Sequence, residues 1–351
     1  MSRSIQRQRR AARAAAVLGT ATLIAAVVLP VQYVMTEPGP VFDVLGEQNG
    51  TPVVTVEGAA TYPTTGQLDM VTVSQFGGTS TLPMGSAILG WLLPTRTVEP
   101  RDVRYPPGTE PGQEEQIDAA VFEASASTAL AATADYLGRP VYSAVLVSSV
   151  EAGSPADGNL ESGDMIKAIA GTPTASSRDV SQAVAALPAG SQVAVDYVRD
   201  GEPASVSITS VARPDGSPGA YLGLLLVDSY TSDFVANVAL KGIGGPSAGM
   251  VFALAMTDLM TPGDLLDGGH VAGTGTIDAQ GRVGPIGGID KKAISVQRSG
   301  AELFVVPKEN CADLAGRVPQ GLTVAAVDTL SAAIDSITAW RSGDGELPSC
   351  P

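Results

Sequence analysis

A single histidine, His270, serves the whole 351-residue chain, and the only cysteines are Cys311 and Cys350. That scarcity excludes a zinc site built from paired Cys/His ligands. A Ser-His-Asp triad would have to use His270, and one residue does not establish a triad. A phosphate-binding G-x-x-x-x-G-K-[ST] loop is absent. The glycines of GTGTIDAQG, residues 273–281, do not replace it without a strand–loop–helix context, so no ATP site and no cofactor is expected. Basic residues are also few. Beyond residue 36 the chain sets 16 of them against 36 acidic ones, a balance that repels nucleic acid.

Charge is missing altogether from Ala14–Met35, 22 residues that follow an acid-free head carrying Arg3, Arg7, Arg9, Arg10 and Arg13. At ~1.5 Å per residue this run reaches about 33 Å, one bilayer core. It is expected to be one transmembrane helix. Residues 1–13 would be cytoplasmic and everything after it extracytoplasmic. A cleaved signal peptide is the alternative, but Pro30, Gln32 and Tyr33 occupy the place of a cleavage site. An oxidising compartment permits a Cys311–Cys350 disulfide, with two free thiols as the other reading.

The whole chain is 44% hydrophobic and long enough for two or three domains. Thr36–Val44 reads as a Pro/Gly-rich exit from the membrane. Val53–Val56 and Gln67–Val73 read as strands, with TYPTTG as turn residues between them. The apolar AILGWLL, residues 87–93, is open between a short helix packed under the domain, the plainer reading, and a membrane-surface patch. Glu114–Leu137 has apolar residues at helical spacing and ends at Gly138 and Pro140. Arg213–Gly219 reads as a linker between apolar strands. VAGTGTI, residues 271–277, reads as one strand.

Lys241–Met256, KGIGGPSAGMVFALAM, reads as a tight turn opening a buried helix, with Ser247 in the first helical turn. A hydroxyl there sits beside unpaired N–H groups and the positive end of a helix dipole, which suit a nucleophile and an oxyanion. Capping the helix is the plainer role. Without a usable histidine the base must be another group. Lys292, near the start of a helix that Asp290 would cap, is the candidate, because burial and the helix dipole lower a lysine pKa. Asp290 opposes this if it lies close, and a solvated surface lysine is the plainer reading.

Val141–Ala212 runs strand, SPA turn, L-x-x-GD-x-I strand, helix and hairpin. Gly153-Ser154-Pro155-Ala156, Leu160, Gly163-Asp164, Ile166, Ile169 and Gly171 make it resemble a PDZ domain. PDZ domains bind peptides by strand addition. The G-L-G-F-like segment due before the first strand is missing, since that stretch reads LGRPVYSA.

GGPSAG, VAGTGTI, VGPIGGIDKK and FVVPKENC, in this order, resemble the proteolytic domain of Lon proteases over roughly residues 234–340. The resemblance implies an α/β (α+β) fold and a Ser–Lys dyad of Ser247 and Lys292, not Lys291, with Thr274 holding the lysine amine. It also implies a homo-oligomer and protein or peptide substrates. Many of these enzymes carry an acid three positions before the serine, where this chain has Gly244. Their ATPase module is not found here, so ATP-driven unfolding is not expected. Pro63-Thr64-Thr65-Gly66-Gln67-Leu68 and the helix ending Leu137-Gly138 resemble the start of the same domain. Residues 36–138 are therefore expected to be its first part, 139–212 a PDZ-like insert, and 213–345 the catalytic remainder. Two functions stand at this point. One is an ATP-independent, membrane-anchored serine endopeptidase. The other is a membrane-tethered, peptide-binding scaffold with an inactive Lon-like domain.

Overall fold

A computed structural model describes residues 13, 16–20, 27–78, 80–105, 113–343 and 345–350. Along the chain come β1 (Tyr33–Asp43), β2 (Val54–Glu57), β3 (Gln67–Phe76), α1 (Met84–Leu92), β4 (Thr97–Pro100) and α2 (Gln113–Tyr136). Next are β5 (Tyr142–Val150), β6 (Met165–Ile169), α3 (Ser177–Ala185), β7 (Gln192–Arg199), β8 (Glu202–Thr209) and β9 (Leu224–Thr231). The chain continues through β10 (Val235–Val238), α4 (Gly249–Met260), β11 (His270–Gly273), α5 (Ile289–Ser299), β12 (Leu303–Pro307), β13 (Thr323–Val327) and α6 (Leu330–Ser342).

Two sheets organise these elements. The first has the order β13-β12-β11-β3-β1-β4, parallel from β13 to β3 and antiparallel beyond it. Strands from before and after the β-rich insert thus share one sheet. They share one core as well: Leu68, Met70, Phe122 and Leu130 pack in a single cluster with Phe252, Val305 and Ile337. The helix α4 runs through that core with eleven of its twelve residues buried, which is why its sequence is apolar on every side.

The second sheet, β8-β7-β6-β5-β9, has its own core of Val145, Ile166, Ile169, Val193, Val195 and Ile208. Ser176 and Asp179 form a reciprocal capping box at the start of α3. Arg199 grips buried Asp164 through two 2.6 Å contacts. β9 pairs with β5 along its whole length, from Leu224 opposite Val150 to Thr231 opposite Tyr142. The boundary expected at Ala212 therefore falls inside this unit. Residues 213–219 are not a linker out of it, because Ala220–Tyr221 returns to pair with Val211–Ala212.

Part of the expected transmembrane span, residues 14–15 and 21–26, lies outside the described residues. Its last six residues are not helical as expected. Pro30–Val31 pairs with Leu82–Pro83, and Tyr33–Met35 begins β1 with Val34 and Met35 buried. Pro30 cannot continue a helix, and Tyr33 and Val34 favour a strand. Among the described residues no helix is long and apolar enough to cross a membrane. The Thr36–Val44 exit is likewise strand. Its Pro-Gly-Pro is absorbed at a register shift between Pro38 and Val41, where a Cβ on Gly39 would lie 2.5 Å from Thr72 Oγ1. The disulfide Cys311–Cys350 is formed and ties the C-terminal tail to the domain.

Candidate active site

Ser247 sits one step earlier than the sequence reading placed it. It is in the turn before α4, whose N-cap is Ala248. The turn is clamped from two sides. On one, β11 stops at Gly273, and Thr274-Gly275 leaves the sheet to reach it. Gly275 N–H and Thr274 Oγ1 both donate to the Ser247 carbonyl, at 2.9 and 3.1 Å. VAGTGTI is thus a strand and then half of a small hairpin, Thr276–Ile277 against Val283–Gly284. Gly275 is required by this close approach, since a Cβ there would stand 3.0 Å from Val283 and 3.3 Å from Met250. On the other side α2 holds the turn. Ser125 Oγ donates to the Pro246 carbonyl at 3.2 Å, and Gly245 N–H donates to the Asp118 carbonyl at 3.0 Å.

Lys292 reaches the serine from α5. Gly288, in the left-handed conformation at φ 69°, caps that helix, so Asp290 is not the cap. The Lys292 side chain is buried, with its residue 2% exposed. Its Nζ lies 2.8 Å from both Ser247 Oγ and Thr274 Oγ1. Burial pushes the amine pKa down to about 7. Asp290 does not oppose this. Its carboxylate pairs with Lys291 Nζ at 2.6 Å and Arg317 at 3.4 Å, so its charge is met before it reaches Lys292.

All three predicted site residues, Ser247, Lys292 and Thr274, thus meet at one point. His270 is at the other end of β11, paired with buried Asp69 at 2.7 Å. The N–H groups of Ser247 and Ala248 donate in none of the hydrogen bonds among the described residues, and they stand at the positive end of α4. A groove of about 830 Å³ passes the site, lined by Met70–Phe76, residues 244–248 and Lys292. β11 covers β3 only as far as Met70, which leaves the edge from Val71 onward without a strand partner on that side among the described residues. Among the same residues no cluster of three acidic, His or Cys side chains suits a metal.

The second sheet holds what the sequence reading missed. Leu222-Gly223-Leu224 enters β9, the edge strand, with Gly223 at φ 78° packed on Ser154. This is the pattern sought before the first strand, placed instead at the last strand of this sheet. Asp228 on β9 accepts from Ser177 N–H at the start of α3 at 2.5 Å, tying edge and helix together. The signal was legible as YLGL, residues 221–224, but only to a search beyond Ala212.

A buried amine on a serine hydroxyl with no histidine in reach is the arrangement of a Ser–Lys hydrolytic site. The comparisons name it further. Residues 241–338 match the Lon protease (S16) C-terminal proteolytic domain, and residues 129–209 match the PDZ domain. Over these segments the chain carries a serine-peptidase domain of the Lon type and a PDZ-type domain. It is 43% identical over 70 residues to Lon protease 1 of Herpetosiphon aurantiacus, covering 20% of this chain and 8% of that one. It is 37% identical over 89 residues to the Lon protease of Haemophilus influenzae, covering 24% and 11%. The chain therefore spans about a tenth of the length of the curated relatives it matches. Among solved structures it is similar to the PDZ domain of an SdrC-like protein from Listeria innocua. The identity is 31%, covering 24% of this chain and 92% of that one, with a TM-score of 0.22.

Proposed function

We propose that this protein is a membrane-anchored, ATP-independent serine endopeptidase in which Ser247 and Lys292 are the catalytic residues. The observation that carries the reading is the 2.8 Å contact between a buried Lys292 amine and Ser247 Oγ. With a pKa of about 7 the amine is substantially neutral at neutral pH and has a lone pair for the hydroxyl proton. Oγ then bonds to the scissile carbonyl carbon, and the negative charge on its oxygen is met by the N–H groups at the α4 start. The C–N bond breaks as Lys292 returns the proton to the leaving amine. Water, losing its proton to Lys292, cleaves the acyl ester and restores Ser247.

The substrate is an extended segment of an unfolded or exported protein, lying along the unpaired edge of β3. The PDZ-like unit recruits or gates it. The acid-free arginine-rich head and the uncharged run after it support the anchor, with the catalytic domain outside the cytoplasm. The test is turnover of casein and fluorogenic peptides by the full chain beside Ser247→Ala and Lys292→Ala, without ATP. Loss in both variants is expected. Equal turnover in all three would overturn the dyad, and no turnover in any would leave a membrane-tethered peptide-binding scaffold.

A further inference from the structure

The helix α1 packs with its large residues on the wrong side for a core element. Its two buried positions are Ala87 and Gly90. A Cβ on Gly90 would lie 2.5 Å from Val98 and 3.0 Å from Met35 Sδ, so the helix is pressed against the sheet by its smallest residues. Ile88, Leu89, Trp91 and Leu92 point away, at 44, 56, 56 and 73% exposure. Burying a Leu or Ile is worth roughly 1.5–3 kcal/mol, so a helix serving only this domain would turn the other way. Trp91 is nevertheless fixed: its ring meets Tyr33 edge-on at 5.2 Å, and its Nε1 donates to the Val98 carbonyl at 3.3 Å.

Two further observations say what this face meets. First, residues 27–29 of the N-terminal uncharged run, just before its strand-forming last six, lie against it. Met84 N–H donates to the Leu29 carbonyl, a Cβ on Gly85 would touch Val27, and Val27, Val28 and Leu29 are all exposed. Second, residues 77–98 contain no acid and only Arg96, in a chain of net charge −15. An uncharged apolar face with a rigid tryptophan, joined to the foot of an uncharged 22-residue run, has the chemistry of the headgroup–acyl boundary.

We infer that α1 is an interfacial foot. Ile88, Leu89, Trp91 and Leu92 enter the outer edge of the bilayer beside Val28 and Leu29, and seat the Ser247 groove at a fixed height above the lipid. At nine residues the helix is about 13 Å long, enough to lie on the surface and too short to cross it. The inference rests on the proposed anchor.

The test uses the full chain with Trp340→Phe, which leaves Trp91 as the sole tryptophan, in phosphatidylcholine/phosphatidylglycerol vesicles with and without brominated acyl chains. The chain is expected to float with the vesicles. Bromines near the headgroups should quench Trp91 about twofold or more, the depth of an interfacial helix. Adding Leu89→Asp and Leu92→Asp, both exposed and outside the core, should leave flotation intact and cut the quenching. Flotation without quenching overturns the foot and leaves the anchor standing, as when a second copy of the chain covers the face. Failure to float removes the anchor and the foot together.

Discussion

Thr274 donates its hydroxyl proton to the carbonyl of Ser247 at 3.1 Å, so its oxygen can meet Lys292 only as an acceptor. One side chain thereby fixes both the backbone of the nucleophile and the direction of the base. Thr274→Val keeps the shape and removes both bonds. The buried amine then loses one of its two partners, at a cost of ~1–3 kcal/mol, so kcat is expected to fall about tenfold or more with little change in KM. Thr274→Ser should restore most of it. A loss carried by KM instead would show that Thr274 does not position the base.

The pKa of about 7 at Lys292 sets the pH profile. Below it the ammonium has no lone pair, and kcat/KM should drop about tenfold per pH unit. Above it the rate should level off. The measurement is kcat/KM for an uncharged peptide from pH 5.5 to 9. A limb unaffected by Lys292, or one centred near 10, would remove it as the base.

The same buried amine weakens the fold. In the unfolded chain a lysine holds its proton to about pH 10.4, while in the folded protein it lets go near 7. Between these values the unfolded state binds more protons, so stability rises with pH. Below pH 7 the full penalty applies, on the order of 5 kcal/mol. Lys292→Met should therefore be inactive yet more stable, with the gain greatest below pH 7 and fading towards pH 10. Denaturant titrations at pH 6 and 9.5 check it. A gain independent of pH would contradict the linkage.

The legible parts of this molecule were those in which local residues dictate chemistry. Ser247 and Lys292 stood out because their glycine- and proline-bearing stretches open helices, but a cap and a surface charge remained the plainer readings until four motifs in order resembled one family, which also supplied Thr274. Early strands with Pro63-Thr64-Thr65-Gly66-Gln67-Leu68 also pointed to a fold interrupted by the β-rich insert, and Leu68 does share the core of Phe252. Three features escaped for physical reasons. β9 closes its sheet against β5, 74 residues back by the pairing of Leu224 with Val150, and no local pattern announces such a pairing. Helix α1 shows an apolar sequence but not which side faces inward, which Gly90 against Met35 decides. The cap of α5 is Gly288 and not Asp290 because the left-handed Gly288 starts the helix at Ile289, which places Asp290 inside the first turn, where its carboxylate accepts from Lys291 N–H at 2.9 Å.

Cys311 and Cys350 close a loop of 39 positions, and the tail they hold returns to the sheet, where Ala326 N–H donates to the Pro348 carbonyl at 2.5 Å. Cross-links of this span are worth ~2–4 kcal/mol. Cys350→Ser, or reductant on the native chain, should lower the midpoint of unfolding accordingly and leave peptide turnover at 25 °C unchanged. Equal midpoints with and without reductant would show that the tail contributes nothing.

Gly244 has no side chain because α2 already occupies the space. A Cβ at 244 would lie 2.6 Å from the Cβ of Asp118 and 3.3 Å from its Cγ. The same stretch of α2 holds the serine turn, since the Asp118 carbonyl accepts from Gly245 N–H at 3.0 Å. Gly244→Ala must therefore push turn and helix apart. Overpacking of this kind costs ~1–3 kcal/mol, and here the displacement moves Ser247 relative to Lys292, so kcat should fall by about tenfold. The colliding atom is the Asp118 Cβ, which survives in Asp118→Ala and disappears only in Asp118→Gly. The Gly244→Ala/Asp118→Gly pair should then recover activity, with a coupling of about 1 kcal/mol or more. The recovered protein should still carry the ~1 kcal/mol stability cost of a helical glycine. Gly244→Ala/Asp118→Ala should stay impaired. If the alanine pair recovers as well as the glycine pair, the carboxylate and not the Cβ is the group that excludes a side chain at position 244.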